Sequence, residues 1–78
     1  MMLFNSKVEA NKIVIKINGQ AFSCLSDISL KNLLEYLDFD LRLIIIEYNS
    51  IIISKNKLSS IIIKEGDQIE IVTIVGGG

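Results

Sequence analysis

One stretch of this chain has the period of a helix, and most of the remainder is rich in β-branched residues. Leu30, Leu33, Leu34 and Leu37 recur at i, i+3, i+4 and i+7, which lines one side of a helix with leucine. Ser29 precedes them as an N-cap, Ile28 and Leu33 fit a hydrophobic staple, and Asn32 stands where a complete capping box would carry Glu. The spacing predicts a helix from Leu30 to Leu37, closed by Asp38-Phe39-Asp40. A single helix with one apolar stripe has to bury that stripe against another layer, and the other segments are strands. At 78 residues the chain is one domain, 1–78, so the expectation is α+β: a mixed four- to five-stranded sheet with one helix packed on one face.

The strands follow from alternation and from the turns between them. Lys12 to Ile17 places Ile13, Ile15 and Ile17 on one face. Asn18-Gly19 then supplies two residues that accept positive φ, the requirement of a tight hairpin, and Gln20 to Leu25 returns antiparallel. Leu43 to Tyr48 shows little alternation, which suits a central strand covered on both faces. Asn49-Ser50 turns into the short strand Ile51-Ile52-Ile53. Ser54 to Ser60 is polar and reads as a loop with room for one helical turn, and Ile61-Ile62-Ile63 is a brief apolar segment. Lys64-Glu65-Gly66-Asp67 is a tight turn, and Gln68 to Val75 is the last strand. Met1 to Ala10 has no clean period; it is either a short extra strand or a loose lead-in.

Composition removes several classes of function. Half the residues are hydrophobic, which excludes disorder, and no apolar run approaches the roughly 20 residues of a membrane span. The first residues lack the apolar block of a signal peptide and the arginine-rich pattern of a transit peptide. A soluble protein of the cytoplasm is expected, or of the plastid stroma if an organelle genome encodes it. A formal charge of −1 with no basic cluster argues against nucleic acid as a partner. There is no histidine and only one cysteine, Cys24, so no internal disulfide, cysteine-based metal site or His-dependent nucleophile can be assembled. The chain is expected to bind no metal and to be no autonomous enzyme.

What remains is the terminus. The last strand runs directly into Gly76-Gly77-Gly78. Glycine weakens a strand, because it packs no side chain and loses the most backbone entropy on ordering. It does make a tail thin enough to enter a narrow channel, and three extended residues reach at most ~10 Å beyond the sheet. An α-carboxylate could be delivered that way into a partner's active site; a frayed terminus is the plainer reading.

The order of elements resembles the β-grasp arrangement of ubiquitin-like proteins. More narrowly, Gly66-Asp67-Gln68-Ile69-Glu70-Ile71-Val72-Thr73-Ile74-Val75-Gly76-Gly77-Gly78 resembles the end of the ThiS family, the sulfur carriers of thiazole formation in thiamine biosynthesis. Ile17-Asn18-Gly19 is similar to that family's opening hairpin, and Ile28 to Leu34 to the start of its helix. The likeness spans Lys12 to Gly78 and departs in two places. Glu47-Tyr48-Asn49 stands where members often carry Glu-Arg-Asn, so no role of that arginine transfers to Tyr48, and about ten residues precede the first strand.

The resemblance implies a carrier cycle in which Gly78 is the modified residue, with Gly76 and Gly77 as a flexible tail entering the partner's site. A ThiF-type enzyme, using ATP and Mg²⁺, would adenylate the Gly78 carboxylate. A persulfide donor would convert it to a thiocarboxylate, and a ThiG-type thiazole synthase would take the sulfur. The chain itself would hold no cofactor and contribute no catalytic side chain.

Three other features bear on this reading. Cys24 sits among apolar neighbours with no cationic group to activate it, which fits a small core or edge residue. Val72 and Ile74 fall on the opposite strand face from Ile69 and Ile71; they form a candidate docking surface, or the lead-in residues cover them. Glu65, Asp67 and Glu70 form a modest acidic cluster expected to be solvated. Other functional classes stay open: the small subunit of molybdopterin synthase, which commonly has proline before its diglycine where this chain has none, a ubiquitin-type modifier, and a purely structural module.

Overall fold

A computed structural model describes residues 11–74. The expectations for Met1–Ala10, for Val75 and for the glycines 76–78 lie outside the described residues. Strands β1 (Lys12–Ile17), β2 (Gln20–Leu25), β3 (Ile44–Tyr48), β4 (Ile51–Ile53) and β5 (Gln68–Thr73) form one sheet in the order β2-β1-β5-β3-β4. Every neighbouring pair is antiparallel except β1 with β5, which run parallel at the centre. Helix α1 (Leu30–Tyr36) lies across one face, giving the mixed five-stranded α+β sheet that the residue pattern anticipates.

Local chemistry sets the corners. Asn18 and Gly19 both take positive φ, 51° and 83°, so the β1–β2 hairpin closes in two residues. Asn49 and Ser50 repeat this between β3 and β4, with serine held at φ 74° where glycine would be unstrained. Ser29 caps α1 by accepting from Asn32 N at 3.0 Å. The helix is one residue shorter than its leucine stripe: Leu37 is the C-cap, and Asp38 takes φ 70° to end it. β3 likewise starts one residue later than its apolar run, because Asp40 caps a 3₁₀ turn at Leu41–Leu43 that takes Leu43 out of the strand.

The core joins Leu30, Leu33 and Leu34 of the helix to Ile15, Ile44, Ile46, Ile69 and Ile71 of the sheet. The stretch after β4 contributes more than its polarity suggests. It forms a 3₁₀ helix, Lys55–Ser60, that buries Leu58 completely, and Ile63 is buried beyond it. Its apolar segment runs antiparallel to the start of α1. Ile61 O accepts from Leu30 N at 2.8 Å and Ile28 O from Ile63 N at 2.9 Å, so a helix donor with no partner inside the helix is satisfied by tertiary contact.

The expectation that β3 is covered on both faces is corrected. Ile44 and Ile46 are buried, but Ile45 between them is 44 % exposed, because α1 packs on only one side of the sheet. An apolar run here reflects one core face and one open apolar face.

Candidate functional site

β5 occupies the centre of the sheet and its two ends are built differently. At its start, Asp67 is buried and its carboxylate is fully engaged. Oδ2 accepts from Tyr48 Oη at 2.6 Å and from Lys64 N at 2.8 Å, and Oδ1 accepts from Asn49 Nδ2 at 3.2 Å. Asn49 Oδ1 in turn accepts from Gln68 N at 2.9 Å. Burial pushes the Asp67 carboxyl up, but the three donors outweigh it and hold the group below the usual carboxylate range. The Tyr48 hydroxyl is pushed up to about 12 by burial and by its bond to that carboxylate. Further along, the Asn18 side chain clamps the backbone of Ile71, donating to its O at 3.3 Å and accepting from its N at 2.7 Å.

The acidic cluster expected from the sequence therefore does not form. Asp67 faces inward and serves the fold, Glu65 Oε1 accepts from Val14 N at 2.9 Å, and Glu70 points to the open face of the sheet. Charge spacing along the chain could not show this, since the partners that draw Asp67 inward lie 18 and 19 residues away in sequence.

The far end of β5 leads toward the tail and presents apolar groups. Val72 is 60 % and Ile74 is 44 % exposed, on the face away from α1. The register sets Ile45 directly across from Val72, and Ile74 N donates to Leu43 O at 2.6 Å. Val72, Ile74, Ile45 and Leu43 thus form one contiguous exposed apolar patch. Sequence reasoning found Val72 and Ile74 but missed Ile45 and Leu43. The signal for Ile45 was the unbroken Ile44-Ile45-Ile46 run, once divided by the two-residue period of a strand; Leu43 lies in the 3₁₀ turn before it. Glu47 and Glu70 face each other in the register on the same side, so like charges border the patch at the end nearer Asp67.

Cys24 is half-buried on β2, an edge strand, and packs against the core. Burial pushes its thiol up, away from the reactive thiolate, in keeping with a packing role. Among the described residues no group of His, Cys, Asp and Glu is placed to hold a metal ion, and no helix is long and apolar enough to cross a membrane.

Comparison with known proteins assigns this geometry to a family. The profile of the ThiS family matches residues 15–78. A ycf40 protein of Trieres chinensis is 48 % identical over 62 residues, covering 80 % of this chain and 85 % of the relative. One from Porphyra purpurea is 47 % identical over 66 residues, covering 85 % and 93 %. A thiazole synthase of Magnetococcus marinus is 31 % identical over 64 residues, which are 82 % of this chain but only 20 % of that protein. The crystal structure of the thiamine biosynthesis protein ThiS from Geobacter metallireducens superposes with a TM-score of 0.75 at 20 % identity, over 85 % of this chain and 100 % of its own, and so shares the fold. With the β-grasp sheet in place and the family match running from β1 through the last glycine, the chain belongs to the ThiS family.

Proposed function

We propose that this protein is a sulfur carrier for thiazole formation in thiamine biosynthesis, and that its chemistry takes place at Gly78. The observation that carries the reading is the match to the ThiS family, which includes Gly76, Gly77 and Gly78. A free carboxylate resists nucleophiles because it is charged and has a poor leaving group. A ThiF-type partner using ATP and Mg²⁺ activates it: a Gly78 carboxylate oxygen attacks the α-phosphorus, pyrophosphate departs, and an acyl adenylate forms. The outer sulfur of a persulfide donor then displaces AMP, and cleavage of the S–S bond by a thiol leaves the thiocarboxylate. A ThiG-type synthase withdraws that sulfur. The likeness of this chain to a fifth of a protein named thiazole synthase supports the last partnership.

In this reading the open face is where the carrier docks. Val72, Ile74, Ile45 and Leu43 lie beside the origin of the tail, so a partner that covers them holds the terminus at a fixed distance from its own site. The opposed Glu47 and Glu70 favour a partner with basic groups next to its apolar surface. The chain is a co-substrate and not a catalyst. The ycf40 name of its relatives favours the plastid stroma over the cytoplasm.

The test is mass spectrometry after incubation with the adenylating enzyme, ATP and a sulfur donor. Exchange of oxygen for sulfur at the terminal acyl group adds about 16 Da. Deleting Gly78 withdraws the carboxylate by one residue, ~3.3–3.6 Å, and is expected to abolish the gain without changing the fold. Equal gain by the truncated protein, or none by the intact one with its cognate enzyme, overturns the reading.

A further inference from the structure

The strand register lays out the open face of the sheet in rows. In the middle, Lys16 of β1 stands beside Gln68 of β5. One row nearer the tail, Glu70 of β5 stands beside Glu47 of β3, and the next row pairs Val72 with Ile45. One row the other way from Lys16 is Val14, 47 % exposed, on the same face because Ile15 between them is buried. The face therefore carries a basic row and an acidic row side by side, with an apolar row outside each. We propose that two copies of this chain pack open face to open face, related by a two-fold axis that crosses the strands between the Lys16 row and the Glu70 row.

Charge selects a second copy as the occupant. A two-fold axis in that place exchanges rows lying at equal distances on its two sides, and successive rows on one face are about 7 Å apart. Lys16 and Gln68 of each copy then face Glu70 of the other, so the favourable contact is made twice. Lys16 and Glu70 lie on neighbouring strands, and the resulting sideways offset of ~4.8 Å is within the span of a flexible lysine stem. By the same exchange, Val14 of each copy meets Val72 of the other, apolar on apolar. Two sheets stacked in this way keep their strands within about 30° of each other, as aligned sheet packings do.

Other occupants match the face less well. Among the described residues the ion pair is Arg42 with Asp40, while Glu70 has a second carboxylate, Glu47, directly across from it. Like charges so placed are destabilising, and a cation from outside offsets that cost. A purely apolar occupant covering Val72 and Ile45 would desolvate the glutamates without a counter-charge. A uniformly basic one would meet Lys16 with like charge. A second copy supplies both signs in the order required. Where the carrier reading holds, this pairing withdraws Val72 and Ile45 from the adenylating enzyme, and the monomer is the form that docks.

The experiment is sedimentation equilibrium of the full chain between about 10 μM and about 1 mM. The mass of the intact protein is expected to rise from monomer to dimer across that range. Lys16→Glu sets like charge against Glu70 twice across the axis, and Glu70→Lys does the same against Lys16. Each is expected to weaken the dimer at least about tenfold, with the far-ultraviolet circular dichroism unchanged. Mixing the two variants in equal amounts is expected to restore the dimer, because opposite charges then meet at both contacts. Only contacts between molecules can produce that recovery, so it is independent of what either substitution does within its own chain. A chain that stays monomeric throughout the range overturns the proposal. Single variants that associate as tightly as the intact protein, or a mixture with no recovery, also overturn it. None of these measurements involves Gly78, so the inference and the carrier reading fail separately.

Discussion

Along Ile44–Ile46 of β3 and the second half of β5, the two faces of the sheet carry the same β-branched residue types and have opposite fates. Ile44 and Ile46 are 1 % and 0 % exposed, while Ile45 between them is 44 % exposed. Ile69 and Ile71 are buried on β5, while Val72 and Ile74 are open. In a strand, successive side chains point to opposite faces, and only one face here has a helix on it. Apolar character alone therefore does not mark the core of this protein. In so small a domain, an open face that stays apolar is a surface available to a partner.

The sharpest way to break that comparison is the same substitution at adjacent positions. Ile46→Ala, like Leu34→Ala on the helix that covers it, is expected to cost roughly 2–5 kcal/mol through lost burial and a residual cavity. Ile45→Ala is expected to cost no more than about 1 kcal/mol, mostly as strand preference. Chemical denaturation of each variant measures this directly, and equal losses at 45 and 46 would show that both faces are packed.

The next effect concerns the polar exception in the core. Asp67→Ala leaves Tyr48 Oη, Lys64 N and Asn49 Nδ2 without their acceptor, at an expected cost of roughly 1–3 kcal/mol. Tyr48→Phe removes a single donor, and about 1 kcal/mol is expected. The pH dependence has a defined sign. Asp67 titrates below its ordinary value in the folded state, so its contribution is complete above about pH 4 and is lost as pH falls through the lowered folded pKa. Tyr48 is raised to about 12, so its contribution is complete below about pH 10 and is lost as pH rises toward 12. In denaturant titrations across pH, Asp67→Asn should flatten the acid limb and Tyr48→Phe the alkaline one.

The smallest effect on stability is expected to carry the largest effect on partnership. Val72→Asp on the open face should shift stability by no more than about 1 kcal/mol, the span of strand preference. With the adenylating enzyme it should raise KM for the carrier at least about tenfold, since one buried methylene-sized contact is already worth a comparable factor. Steady-state adenylation separates the two outcomes; an unchanged KM would mean that the patch is not where the partner sits.

Much of this protein was legible without a structure. The leucine stripe located α1 to within one residue, Asn18-Gly19 located the first hairpin, and Lys64 to Asp67 located the turn before β5, with Gly66 at φ 85°. These are local effects, set by residues within a few positions of one another. The family likeness was legible for a similar reason, because it resides in a contiguous block ending at Gly78. Tertiary structure alone decided which apolar residues outside the leucine stripe are core. It split the Ile44–Ile46 run between two faces, recruited Leu58 from a stretch that reads as loop and Ile63 from a brief apolar segment, and drew Asp67 out of an apparent acidic cluster into the reach of Tyr48 and Asn49. Each of these depends on contacts between segments far apart in the chain. A one-dimensional pattern records what a side chain is, while its burial depends on which distant element comes to lie over it.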